Sequence, residues 1–370
     1  MIRRVWQLFI RNFDGPLLLL ALTLLLVNLA VLFSASNQSL DRIVAQLINM
    51  SVAFGVMWLA ANIPPQKMMG LAPPIYLLGV LMLIGVAVAG DVVNGARRWL
   101  HIGVTRIQPS EIMKIALPMM LAWYFQRQQA SPRMRDFAIA AVLMAVPLAL
   151  ILKQPDLGTA ILVGAASFYV LFLAGLHAGF VWGLLAAGVG GIYFVTHWDL
   201  CVSVFHDYQC RRVATMLDPM EDPLGAGYHT IQGTIAIGSG GVLGKGWLKG
   251  TQTHLDFIPE RTTDFIFAVF AEEFGLIGNV LLLVLYLLVI GRGLYIASKA
   301  SNTFGRLMAG AIALSFFTYA FVNIGMVSGI LPVVGVPLPL ISYGGTALVT
   351  LLLGFGILMS IHAHRKLVPS

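Results

Sequence analysis

Asp264 stands in the run Ile258-Pro-Glu-Arg-Thr-Thr-Asp-Phe-Ile-Phe, where a polar stretch gives way to an apolar one. A carboxylate at such a boundary is half shielded from water, which raises its pKa toward the range useful to a general base. Thr262, Thr263 and Asp264 are also helix-capping types, and a cap is the more ordinary role for such a cluster; one carboxylate can serve both. In Gln108-Pro-Ser-Glu-Ile-Met-Lys, a helix capped by Ser110 puts Glu111 and Lys114 on one face. Charges inside apolar helices are costly and are paired or functional, so a steadying ion pair and a ligand role are both open. Asp156, in Lys153-Gln-Pro-Asp-Leu-Gly-Thr, occupies a tight link where a carboxylate ordinarily bonds its own backbone. Glu272 and Glu273 are adjacent acids in an apolar run and cannot both face lipid cheaply.

Groups that suit an anion lie nearby in the chain. Ile237-Gly-Ser-Gly-Gly-Val-Leu-Gly-Lys-Gly offers backbone N–H groups and Lys245, although its spacing is not that of a nucleotide-binding loop. Arg211, Arg212, Lys249 and Arg261 add positive charge to the same segment, a composition that suits lipid head groups or a diphosphate. Val333-Val-Gly-Val-Pro-Leu-Pro-Leu-Ile-Ser-Tyr-Gly-Gly, which holds Ser342, is apolar yet too rich in Pro and Gly to be helical throughout. Such backbone must be shielded by protein or line a cavity, so it reads as a wall of the site. Cys201 and Cys210 are the only cysteines, and their pairing stays open; no His/Cys cluster has metal-ligand spacing.

The elements that must position these residues are membrane helices. The chain is 58% hydrophobic and 11% charged, with a mean hydropathy of +0.86, far from the balance of a water-soluble enzyme. Ten apolar stretches are long enough to span: Pro16–Ser34, Ile43–Ala61, Ile75–Ala89, Ile112–Phe125, Phe137–Leu152, Thr159–Gly175, Ala178–Thr196, Phe265–Ile290, Leu307–Ser328 and Gly344–Ile361. The first reads as a span rather than a cleaved signal. Arg3, Arg4, Arg11, Lys67, Arg127, Arg133, Arg135, Arg292, Lys299, Arg306, Arg365 and Lys366 all fall on one side of such a bundle. That side is the cytoplasm, and both termini lie there. The net charge of +7 therefore speaks for orientation, not for nucleic acid. The expected fold is an all-α polytopic membrane protein of about ten transmembrane helices in a single domain over 1–370. One long extracytoplasmic loop, about 197–263, joins spans seven and eight, and loops of that length are usually functional or disordered.

Four motifs in this order, Gln108-Pro-Ser-Glu, Gln154-Pro-Asp-Leu-Gly-Thr, Asp264-Phe-Ile-Phe and Pro337-Leu-Pro-Leu-Ile-Ser-Tyr-Gly-Gly, resemble the SEDS family of shape, elongation, division and sporulation proteins. Asp218–Gly250 and Asn323–Tyr343 are most similar to its rod-shape branch. The resemblance implies a peptidoglycan glycosyltransferase of the bacterial inner membrane, polymerising lipid II on the periplasmic face. It also implies partners: a class B penicillin-binding protein, elongation-complex shape proteins and membrane lipids. It gives Asp264 the essential role, with Glu111, Lys114 and Asp156 as sensitive positions. Lys114, Arg211, Arg212 or a divalent cation such as Mg or Mn would then stabilise the diphosphate. Two rivals remain. A lipid II flippase calls for polar residues through the membrane depth and two similar halves; a scaffold for the penicillin-binding protein calls for tolerance of change at Asp264.

Overall fold

Lipid offers no hydrogen-bond partners to a backbone, so every apolar stretch that enters it must close its bonds internally. All ten expected spans are helices in the computed structural model, which describes residues 12–365 apart from 94–95, 103–104, 129–131, 197–200, 202–206, 224, 226, 256 and 259. The basic residues Arg3, Arg4, Arg11 and Lys366 lie outside the described residues. The first seven are α1 (Gly15–Ala35), α2 (Leu40–Asn62), α3 (Pro65–Ala89), α4 (Pro109–Arg127), α5 (Met134–Lys153), α6 (Leu157–Leu173) and α7 (Ala178–Thr196). The long connection contributes α8 (Asp207–Leu217), α9 (Tyr228–Gly240) and α10 (Thr251–His254). The last three spans are α11 (Ile266–Ser298), α12 (Thr303–Val327) and α13 (Gly345–Ala363). Seven of these helices are long and apolar enough to cross a membrane by length and composition: α1, α2, α3, α5, α11, α12 and α13. The protein is a multi-pass helical membrane protein.

Helix boundaries differ from the apolar stretches where proline begins a helix. Helix α3 starts ten residues before the apolar stretch Ile75–Ala89, because Pro65 occupies its first turn and Pro73 and Pro74 are carried inside it. Helix α4 likewise opens on Pro109, so Ser110 is one residue inside, its hydroxyl buried and unbonded rather than capping. The segment 91–107 holds strands β1 (Asp91–Val93), β2 (Ala96–Ile102) and β3 (Thr105–Ile107) in antiparallel order β1-β2-β3. Asn94-Gly95 between two β-prone runs is the sequence signal for this hairpin.

Helix α12 sits at the centre, with most of its residues buried, and packs against α11, α6 and α4. The two ends of the bundle differ. At one, Asp14 caps α1 and takes Arg292 of α11 through both oxygens at 2.9 and 2.5 Å, with His362 of α13 at 3.3 Å. The opposite end gathers the first residues of α2, α4, α6, α11 and α13, and there the candidate residues meet.

Candidate active site

Helix α11 begins at Ile266 with Phe265 as its cap residue, and no side chain caps it. The ordinary reading of Asp264 as a helix cap is thereby set aside. Thr263 does not cap either; its hydroxyl donates to the Glu260 carboxylate at 2.8 Å. Among the described residues no cation or hydrogen-bond donor meets the Asp264 carboxylate. Burial, with the like charge of Glu260 adding to it, raises its pKa from an ordinary 3.8 to about 6.

What the carboxyl lacks in partners, its backbone has in full. Three successive carbonyls are held from one side: Thr262 by the Tyr343 amide at 2.9 Å, Thr263 by the Ser342 hydroxyl at 2.6 Å, and Asp264 by the Asn323 side-chain amide at 2.8 Å. Asn323 Nδ2 also donates to the Val336 carbonyl at 2.7 Å, and Ser342 Oγ accepts the Leu338 amide at 2.8 Å. Asn28 of α1 donates to the carbonyls of Ile341 and Ser342 and is itself met by Gln46 of α2. Ser342 is thus a positioning group, and the strap 331–344 is non-helical, as its Pro and Gly content predicts, and lies against Asp264.

One cavity is lined by the strap itself and a second by the helix that follows it. Leu331 and Val333 line a basic pocket of about 240 Å³ with Arg211, Arg212, Thr215 and Thr230. A Cβ on Gly335, whose φ of +72° favours glycine, would stand 3.4 Å from Asp264 Oδ2. Gly345 and Thr346, the first residues of α13 just past the strap, line a largely apolar groove of about 520 Å³ between α2, α3, α4 and α13. Asn49, Gln108, Glu111 and Thr350 give that groove its polar positions. The strap therefore runs from the pocket that holds Arg211 and Arg212, past the Asp264 carboxyl, to the start of α13 at the apolar groove.

Glu111 and Lys114 form the local pair: Nζ lies 2.6 Å from Oε1, with the side chains 7% and 14% exposed in the order Lys, Glu. The ammonium also lies over the Tyr319 ring at 5.2 Å, and Thr350 donates to Glu111 Oε2 at 3.3 Å. Lys114 is spent on this pair and offers no free cation. Asp156 caps α6 through the Thr159 amide at 3.2 Å and accepts Gln108 Nε2 at 3.0 Å, which ties the α6 turn to the start of α4. Asp156→Ala should cost about 0.5–2 kcal/mol from the lost cap, and Asp156→Asn should keep most of it. Thermal unfolding in nanodiscs compares the two.

Lys245 departs from its expected role. Its ammonium is held by Glu272 Oε1 and Thr251 Oγ1, both at 2.7 Å. The N–H groups of Lys245 and Gly246 donate to the carbonyls of Glu272 and Glu273, so the Gly-rich stretch is not an open anion nest. Cys201 and Cys210 form a disulfide. The groups that sequence reasoning passes over are Asn28, Gln46 and Asn323, buried amides in apolar helices, and Arg42. Polar residues at membrane depth are the available signal. Arg42, by sequence no more than an outer-loop charge, donates to Thr262 Oγ1 at 3.3 Å and lies over the Tyr343 ring at 5.8 Å.

The profile of the cell cycle protein family that unites FtsW, RodA and SpoVE matches residues 14–367. The chain belongs to this SEDS family. It is 50% identical over 360 residues to the peptidoglycan glycosyltransferase MrdB of Escherichia coli K12, covering 96% of this chain and 95% of that one. Among solved structures it is similar to a chain of a peptidoglycan synthase complex that coordinates polymerization and crosslinking. There the TM-score is 0.81 at 30% identity, over 96% of this chain and 99% of that one. The rod shape determining protein RodA of Thermus thermophilus gives a TM-score of 0.72 at 28% identity, over 95% and 97% of the two chains. The four motifs that carry the resemblance all lie within the matched region.

Proposed function

We propose that this protein is a peptidoglycan glycosyltransferase that polymerises lipid II at the outer face of the cytoplasmic membrane, in support of rod-shaped growth. The observation that carries the reading is the Asp264 carboxyl: raised, without a partner among the described residues, and fixed through its backbone beside a strap that starts at a pocket with Arg211 and Arg212 and ends at α13, whose first residues line an apolar groove. Lipid II joins a long hydrocarbon to a sugar through a diphosphate; the hydrocarbon suits the apolar groove and the diphosphate suits the arginines of the other pocket. Coupling displaces the diphosphate from the anomeric carbon by a sugar hydroxyl and inverts an α-linked donor to a β-1,4 bond. A single in-line step needs a base on the acceptor hydroxyl and positive charge on the leaving group. Asp264 serves as the base, taking the hydroxyl proton as the new bond forms. Arg211, Arg212 and Arg42 are the basic side chains near the strap that can meet the departing diphosphate. Among the described residues no three His, Cys, Asp or Glu side chains converge to hold a metal.

The partner reading rests on the similar chain solved within a complex that coordinates polymerization with crosslinking; a class B penicillin-binding protein is the corresponding partner here. Purified protein, with and without that partner, given fluorescent lipid II in proteoliposomes, tests the function. Glycan polymer is the expected product. Transbilayer movement of lipid II without polymer would favour a flippase, and neither activity would leave a scaffold. Arg211→Ala should lower kcat/KM about 10-fold, the loss of one charge-assisted bond to the leaving diphosphate; an unchanged kcat/KM would remove Arg211 from the diphosphate site.

A further inference from the structure

Helix α11 is interrupted. Gly275 has φ +62° and ψ −161°, outside the helical region, which separates a stub at 266–274 from the long shaft beyond. A continuous helix would bond the amides of Leu276 and Ile277 to the carbonyls of Glu272 and Glu273. Instead the 241–246 loop enters the gap. Leu276 and Ile277 donate to the carbonyls of Gly241 and Val242 at 2.9 and 3.2 Å, while Lys245 and Gly246 donate to those of Glu272 and Glu273, both at 3.0 Å. All four groups orphaned by the break are satisfied by one splice of foreign backbone, as buried backbone requires.

Side chains lock the splice. Glu272 is fully buried, and its Oε1 accepts Lys245 Nζ at 2.7 Å, Gln252 N at 3.0 Å and Thr251 Oγ1 at 3.2 Å. Its Oε2 accepts Thr253 Oγ1 at 3.1 Å and Thr253 N at 3.3 Å, so the carboxylate also holds the first turn of α10. Glu273 is bonded by Ser34 of α1, and Trp247 Nε1 donates to the Ala30 carbonyl at 2.9 Å. Beyond α10, Arg261 Nη1 donates to the Thr253 carbonyl at 2.5 Å. Asp264 therefore lies inside a closed circuit. One arm runs back through Arg261 and α10 to Glu272, and the other runs forward through the stub to the same residue.

We infer that Glu272 is a positioning residue of glycosyl transfer: paired with Lys245, it closes the circuit that sets where the Asp264 carboxylate stands. It touches no substrate and acts only through Asp264. The inference rests on the polymerase reading proposed above. A carboxylate misplaced by about 1 Å forfeits on the order of 100-fold in rate, and a group that only places the base should change turnover more than substrate affinity.

The experiment measures kcat and KM for lipid II with full-length Glu272→Gln, Lys245→Met, Lys245→Arg and the double variant Lys245→Met/Glu272→Gln, each purified with the transpeptidase partner. The expected result is a fall in kcat of about 10- to 100-fold for Glu272→Gln and Lys245→Met, with KM within about twofold. Lys245→Arg should keep most of the turnover, and the double variant should lose no more than either single one. Turnover within about twofold of wild type in Glu272→Gln or in the double variant would overturn the inference. So would a loss borne by KM alone. The double variant leaves no unpaired buried ion, so its kinetics decide the question where a single variant fails to purify as a monodisperse protein. A wild-type protein that made no polymer would instead strike at the functional reading itself.

Discussion

Asp264→Asn should abolish polymerisation while leaving a protein at least as stable as the wild type. The substitution keeps the shape of the side chain and removes its proton-accepting oxygen. General-base catalysis contributes about 10²–10⁴-fold, so strand synthesis from labelled lipid II should fall by that factor. Stability should move the other way because burial raises this carboxyl to about 6 from an ordinary 3.8. Between those values the folded chain holds more protons than the unfolded one, so stability declines as pH rises from about 4 to about 6. An uncharged Asn carries no such decline, and its unfolding midpoint should match or exceed wild type above pH 6. Activity has the opposite sign: a base works deprotonated, so the wild-type rate should climb through pH 6 with one ionisation, and the residual rate of Asp264→Asn should not. Polymer from Asp264→Asn at the wild-type rate, or an acid limb that survives the substitution, would remove Asp264 as the base.

The second large effect concerns Glu111 and Lys114. Glu111→Gln should destabilise the protein by about 3–5 kcal/mol, the usual result of stranding a buried partner without its counter-charge. Lys114 is the one stranded, packed over the Tyr319 ring with its side chain 7% exposed. Adding Lys114→Met should recover most of that loss, because an ion pair replaced on both sides leaves nothing unpaired. Thermal unfolding of the two single variants and the double one in nanodiscs completes the cycle. Activity separates structure from contact: Glu111 borders the apolar groove and Lys114 does not. If Glu111 meets substrate there, the double variant regains its stability and stays slow. Additive losses in stability would deny the pair its structural role.

The membrane helices are legible in the sequence because period and hydrophobicity carry them whatever the neighbours do. The stretch expected as the seventh span is a helix that begins at Ala178, as its hydrophobicity predicts. What local reasoning cannot see are bonds between segments far apart in the chain. Asp264 has the composition of a helix cap, and only the register of Phe265 at the head of α11 shows that it is not one. Lys245 in a Gly-rich run looks like an anion ligand until Glu272, 27 residues on, is found against it. Asp156 reads as a turn carboxylate bonded to its own backbone, and that bond is present at Thr159. Ser342 is placed near the site by the Pro and Gly content of its segment; its bond to the Thr263 carbonyl is a contact across 79 residues that no spacing rule anticipates.

The strap from Leu331 to Gly344 carries one more consequence for the proposed polymerase. It starts beside the pocket of Arg211 and Arg212, passes Asp264 at Gly335, and ends where α13 begins to line the apolar groove. If strands lengthen beside Asp264, the peptide groups that hold its backbone also lie between the two cavities. A substitution there is then expected to change how long the strands grow as well as how fast.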